Sequence, residues 1–209
     1  MKNIRVLIAD DHAIVRHGLC ALLGTERGIE VIGEAKNGDE AVTLARRLAP
    51  DVIVMDIVMP RKDGVEATVE IRAAVPSAKI VVLTSFGTSD KISRAIEAGA
   101  TGALMKTAED RELLSAIRTV TNGGRVISPA VRKLISTDPP APELTPRQLE
   151  ILQAMARGLT NKDIAKMFGI RTDGVNEHVL AILAKLGAAN RTEAVAIALR
   201  KQLISNCIF

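Results

Sequence analysis

The chain contains no tryptophan and no tyrosine, and its three phenylalanines leave aromatics at 1% of 209 residues. No stacking platform for single-stranded DNA or RNA can be built from such a set, and cores must be filled by Val, Ile, Leu, Ala and Met. Cysteine is nearly as scarce. Cys20 lies in an apolar helical pattern and Cys207 near the end, with no CxxC spacing and no histidine partner, which argues against a disulfide framework or a zinc site and for free thiols in a reducing compartment. There is no basic segment followed by a signal-length apolar core, and no run approaches a membrane span. A soluble, cytoplasmic protein without membrane attachment is expected.

What is present is alternation. Residues 5–9, 31–33, 52–55, 80–83 and 102–105 are short, apolar and mostly β-branched, as strands buried on both faces are. Between them, 14–23, 40–48, 65–74, 91–98 and 109–120 carry apolar positions at helical spacing. Strand and helix in turn predict right-handed crossovers and an α/β fold, a doubly wound five-stranded parallel sheet.

Ligands of such sheets bind outside the carboxyl ends of the strands. Asp10 and Asp11, Asp56, Thr84 and Lys106 all stand where an apolar run stops. Singly, each has an ordinary explanation: a turn for the paired aspartates, strand filler for the threonine, a solvated charge for the lysine. Their coincidence at one sheet edge outweighs these. Three crowded carboxylates repel unless a cation is present, and Mg²⁺, which takes oxygen ligands from one or two carboxylates and a phosphate, suits Asp11 and Asp56 as direct ligands with Asp10 orienting a bound water. Asp56 is then the nucleophile toward phosphorus, and Thr84 and Lys106 hold the oxygens of the transferred group.

The run Asp10-Asp11, then Asp56 followed by Met59-Pro60 and Asp63-Gly64, then Thr84 and Lys106, resembles the receiver domain of bacterial two-component response regulators over residues 1–125. The resemblance implies phosphorylation of Asp56 by a sensor histidine kinase, with the backbone carbonyl of Val58 as a further Mg²⁺ ligand. Receivers steer hydrolytic water with the residues two after the aspartate and two after the threonine. Here these are Val58 and Phe86, both apolar, and a long-lived acyl phosphate is expected. The aromatic residue that receivers of this type commonly carry three positions before the lysine is replaced by Ala103, so Thr84 and the loop 85–90 must carry the conformational change.

Residues 126–142 hold Pro129, Pro139, Pro140 and Pro142 and read as a linker, with a short helix possible over 128–135 and extended chain over 138–142. Charge divides at the same place. Residues 1–125 carry 17 basic and 17 acidic side chains; residues 143–209 carry 9 and 6. A smaller all-α domain with a basic balance is a fair DNA-binding expectation. Helices are predicted from Thr145 to Arg157, over 161–167, over 173–186, and from Thr192, with Gly158, Gly169 and Gly187 as stops.

Leu144-Thr-Pro-Arg147, Gly158-Leu-Thr-Asn-Lys-Asp-Ile-Ala165, Val175, His178, Lys185-Leu186 and Arg191-Thr-Glu-Ala194 resemble the LuxR-type helix-turn-helix, and the whole chain a NarL/FixJ-type response regulator. The third of these helices would enter the major groove. Thr160, Asn161, Lys162, Lys166, Arg171, Val175, Asn176, Glu177, His178, Lys185 and Arg191 are the candidate DNA contacts. The entry to the third helix departs from the family: Arg171 replaces the usual Ser cap, Gly174 and Asn176 replace a hydroxyl and a lysine, and Leu180 replaces a basic residue. Residues 171–186 are left neutral, so binding should be weaker and less salt-dependent.

The expected function is a phosphorylation-controlled transcriptional regulator, not an enzyme, that binds promoter double-stranded DNA as a homodimer. In such regulators the unphosphorylated receiver often masks the recognition helix, and the last helix, here 193–203, can serve dimerisation. A protein-interaction switch that binds DNA weakly or not at all is the alternative. A phosphohydrolase on the same acidic edge is less favoured, since no substrate pocket beyond that edge is evident.

Overall fold

The computed structural model describes residues 3–85, 89–137, 144–201 and 203–204. The chain divides into two compact units, Met1–Pro139 and Pro140–Phe209.

The first unit alternates strictly: β1 (Ile4–Ala9), α1 (Ala13–Thr25), β2 (Ile29–Ala35), α2 (Gly38–Leu48), β3 (Val52–Asp56), α3 (Gly64–Ala74), β4 (Lys79–Thr84), α4 (Ser89–Glu97), β5 (Gly102–Met105), α5 (Asp110–Thr121), β6 (Val126–Ile127) and α6 (Pro129–Thr137). All pairings are parallel, in the order β2-β1-β3-β4-β5-β6. β1 thus lies between β2 and β3, which is where the order reverses and where a ligand crevice opens. Apolar strand residues alternate between two cores. Leu7, Ile53, Ile80 and Ala103 face α2, α3 and α4, while Val6, Val52, Val81 and Leu104 face α1 and α5. Cys20 is a free thiol on α1; desolvation, reinforced by Glu34, pushes it up to about 11, so at neutral pH it is an inert packing group.

The sheet has six strands where the sequence pattern predicts five. β6 is two residues long, too short to show periodicity, and pairs Val126 with Gly102 and Ile127 with Ala103. The stretch read as linker therefore begins inside the first unit. The short helix expected over 128–135 is α6, which Pro129 opens, because a first-turn proline has no intrahelical N–H to lose. Ser128 Oγ accepts the Val131 N–H at 3.3 Å, and Val131 is fully buried in the core that holds Ala103, Ile92 and Ala95. The extended segment expected over 138–142 lies outside the described residues.

The second unit packs α7 (Pro146–Ala156), α8 (Asn161–Phe168), α9 (Thr172–Leu186) and α10 (Arg191–Arg200) around Ile151, Leu152, Ile164, Val175, Ile182, Ala194 and Ala198. Thr145 and Thr160 each form a capping box, with Gln148 and Asp163 three residues on. Gly169 and Gly187 close α8 and α9 with φ of 63° and 64°, the left-handed region that favours glycine. Arg171 at the N-cap of α9 makes no side-chain cap bond. The last helix opens one residue before the predicted start, because Asn190 caps it by accepting from Glu193 N.

Candidate phosphoacceptor pocket and helical recognition face

The parallel register aligns the strand ends. Ala9 pairs with Met55, Asp56 with Leu83 and Thr84 with Met105, so Asp10, Asp56, Thr84 and Lys106 close four adjacent strands at one edge. Backbone bonds fix them: Asp10 N donates to Ala35 O at 3.1 Å, and Lys106 N to Thr84 O at 2.7 Å. Arg16 reaches back to the carbonyl of Asp10 at 2.8 Å. Asp10, Asp56 and Thr84 are almost wholly buried, at 1%, 3% and 1% exposure.

The Lys106 ammonium stands 2.7 Å from both Asp10 Oδ2 and Asp56 Oδ2. Toward Asp10 it donates a hydrogen bond. Toward Asp56 the approach is equally close but lacks hydrogen-bond geometry, so Asp56 Oδ2 is buried with a charge partner and without a hydrogen bond. Asp56 Oδ1 accepts from Val58 N at 3.3 Å. Burial raises the Asp56 carboxyl above the ordinary range, Lys106 opposes this, and Asp10 adds to it. For Lys106, burial works against the charge, but hydrogen bonding and attraction from Asp10 and Asp56 together raise its pKa.

Ligand atoms of Asp10, Asp11, His12 and Asp56 lie within 4.8 Å of one another, a grouping able to hold a metal ion. Three carboxylates against one ammonium leave two negative charges, and the carboxylate oxygens are the donors a hard divalent cation prefers. The buried Asp56 oxygen without a hydrogen bond fits the same reading. His12 was not singled out by the sequence pattern; its Nδ1 lies 2.8 Å from Asp11 and 3.2 Å from Asp10. Its place directly after the paired aspartates was the available signal.

Gly64 explains the motif that follows Asp56. A Cβ there would stand 2.2 Å from the Asp56 carbonyl oxygen, so only glycine lets α3 start against the strand end. Asp63 caps that helix with Glu66 as reciprocal partner and pairs with Lys91 at 3.0 Å. Val58 sits at the rim, 37% exposed. Phe86, the other expected rim residue, lies outside the described residues, as do 87 and 88 of the loop 85–90.

In the second unit α8 and α9 meet across the Gly169 turn. Lys162, Lys166, Arg171, Asn176 and Glu177 are exposed, as is Thr160, and His178 is half-buried. Several candidates have other employment: Thr160 caps α8 through Asp163, and Asn161 donates to Asn176 Oδ1 at 2.8 Å. Val175 is fully buried in the helical core, since it falls on the inward stripe of α9 with Ile182 and Leu186. Lys185 donates to Gln148 Oε1 at 3.0 Å. Arg191 donates to Asn161 Oδ1 at 3.1 Å and to the Leu159 carbonyl, and desolvation lowers its pKa. The outward side of α9 carries Asp173, Asn176, Glu177 and Leu180, with Leu180 66% exposed.

Residues 6–118 match the model of the response regulator receiver domain, and residues 142–198 that of bacterial regulatory proteins of the luxR family. The transcriptional regulatory protein LiaR of Bacillus subtilis (strain 168) is 44% identical over 211 residues, covering 97% of this chain and 100% of the relative. The response regulator protein VraR of Staphylococcus aureus (strain NCTC 8325 / PS 47) is 39% identical over 207 residues, with 97% and 99% covered. Among solved structures, the response regulator ChrA of a heme-sensing two-component system aligns with a TM-score of 0.60 at 35% identity, over 98% of this chain and 100% of that one. RcsB, solved as two dimers bound to two parallel DNAs, aligns with a TM-score of 0.67 at 25% identity, over 94% and 98%. An acidic strand-edge pocket in one unit and a capped helix-turn-helix in the other are what these two families bring, and the chain belongs to the bacterial two-component response regulators that join a receiver to a LuxR-type DNA-binding domain.

Proposed function

We propose that Asp56 is the phosphoacceptor and that its modification governs DNA binding by α8 and α9. One observation carries the first half: a buried carboxylate at the switch-point edge, raised by burial and held by the Lys106 ammonium 2.7 Å away. A carboxylate oxygen of Asp56 forms the new P–O bond while the P–N bond to the kinase histidine breaks. The electron pair returns to the imidazole nitrogen. Lys106 and the Thr84 hydroxyl take the phosphoryl oxygens, so negative charge leaving Asp56 stays within reach of the same ammonium. A Mg²⁺ ion held by Asp11 and Asp56, with Asp10 orienting a bound water and the Val58 carbonyl as a further ligand, would neutralise the remaining charge. Each molecule accepts one group and does not turn over substrate, so the protein acts as a switch in the cytoplasm rather than as an enzyme.

For the second half, Thr160, Lys162, Lys166 and Arg171 offer exposed contacts to phosphate, and Asn176 and Glu177 face the bases. RcsB's DNA-bound dimers support a homodimer on promoter DNA for this chain too. The uncharged balance of α9 favours a second reading, in which the helical unit meets a protein partner. A salt titration of binding to random duplex separates the two readings: retained, salt-sensitive affinity supports DNA.

Phosphorylation is tested by intact mass after exposure to phosphoramidate and Mg²⁺. Wild type should gain one phosphoryl group and Asp56→Asn none; equal gain in both would overturn the assignment. Followed over time, the same measurement reads the lifetime. Val58→Asn should shorten it about fivefold, the worth of one hydrogen bond to the attacking water.

A further inference from the structure

We infer that Asn176 is a specificity-determining residue whose amide is locked to present its N–H donors to the major groove, and that it selects guanine over adenine there. The inference deepens the DNA-binding reading and rests on it. Three elements supply the lock: Arg191 opens α10, Asn161 opens α8 and Asn176 lies on α9.

An exposed amide is ordinarily free to turn, its oxygen and nitrogen being interchangeable in shape. Here one end of the chain is a guanidinium, which donates and never accepts. Arg191 lies 3.1 Å from Asn161 Oδ1, so the oxygen of Asn161 must face it and the amide nitrogen must face the other way. That nitrogen lies 2.8 Å from Asn176 Oδ1. The atom of Asn176 facing a donor must be its oxygen, which turns Nδ2 away from Asn161. Arg191 is itself tied down by its second nitrogen on the Leu159 carbonyl, and it is half-buried. Orientation thus passes from a half-buried cation, through one amide, to a second that is exposed.

The major-groove edge of guanine carries two acceptors, O6 and N7, and no donor. Adenine carries one acceptor, N7, beside a donor, N6–H, and its usual amide partner turns both oxygen and nitrogen outward. Oδ1 is turned back toward Asn161 on α8, so Nδ2 leads outward: its two N–H donors match the two acceptors of guanine, while adenine is met through N7 alone, its N6–H being out of line with the oxygen. Arg191 and Asn161 are positioning residues in this scheme, acting on the base only through Asn176.

The test is selection of random-sequence duplexes by the full-length protein treated with phosphoramidate and Mg²⁺. Wild type should enrich guanine over adenine by about tenfold at one position in each half-site, and Asn176→Ala should erase that preference. Asn161→Asp keeps the acceptor for Arg191 but removes the donor to Asn176. Its carboxylate accepts where Asn161 donated, so Nδ2 of Asn176 turns inward and Oδ1 outward; the added charge weakens all duplexes alike, and the guanine preference should be lost at that position with the other positions unchanged. Asn161→Ala frees the amide without adding charge, so guanine and adenine should be enriched about equally; loss of the preference in both variants guards against a folding defect in either. A wild-type site without that guanine, or an unaltered ratio in both Asn161 variants, overturns the inference alone. No enriched sequence for wild type overturns it together with the DNA-binding reading.

Discussion

Lys106 lies between two buried carboxylates and settles neither completely. Asp10 has its hydrogen bond, while Asp56 has proximity and burial. Removing water from the Asp56 carboxylate outweighs the pull of Lys106, with Asp10 adding repulsion, so the folded protein retains a proton on Asp56 over a pH interval where the unfolded chain has lost it. By linkage, stability is full below the ordinary carboxylate pKa and falls as pH rises through the raised one. Asp56→Asn removes that loss. Its Tm at pH 7 should exceed that of wild type by about 2–4 °C, and the gap should close on acidification below the carboxylate range. Thermal unfolding of both proteins across pH checks this; a less stable variant at pH 7 would mean that pairing with Lys106 outweighs burial. The four strand-end residues were legible because a parallel sheet converts chain position into spatial position. Less legible was His12, which owes its place to the direction of a loop. Gly64 stands in the motif that carries the resemblance, but the backbone approach that demands it shows only in the fold.

At the level of elements, helices announced themselves by caps and stops, and strands by buried runs. The failures came where a signal had two meanings. The stretch from 126 reads as linker, yet Pro129 starts the expected short helix within the first unit, while β6 is too short for periodicity and is defined only by its partner β5. Within α9 the periodic stripe that places Val175 inward competes with its position in a DNA-binding motif, and packing wins. That leaves an outward side without a cation near its middle. Leu180, 66% exposed, is the place to restore one. Leu180→Lys removes exposed apolar surface and adds one phosphate contact, so affinity for duplex should rise and the log–log salt slope should steepen by about 0.9. Fluorescence anisotropy between about 50 and about 200 mM salt would read this as about a threefold larger loss of affinity than in wild type. An unchanged slope would show that this side of α9 does not approach the backbone.

The two units divide the labour by charge as well as by fold: residues 1–125 balance 17 basic against 17 acidic side chains, and residues 143–209 hold 9 against 6. A net charge of three on a unit with a neutral recognition helix gives one copy little purchase on DNA, because phosphate contacts supply much of the affinity. Two copies joined on one duplex change the arithmetic. The second binding event becomes intramolecular, and affinity rises with effective concentration without any new contact. If phosphorylation of Asp56 acts by pairing two chains, its effect must depend on the DNA carrying two half-sites about one helical turn apart. Gel shifts with phosphoramidate and Mg²⁺ should then show at least about a tenfold gain on a two-half-site duplex, little gain when one half-site is scrambled, and none for Asp56→Asn on either. Release of a masked helix predicts something different: an equal gain on both duplexes, since each copy would bind better by itself. The ratio between the two duplexes, rather than the gain on either, is therefore the quantity that distinguishes pairing from unmasking, and pairing requires that ratio to rise on phosphorylation.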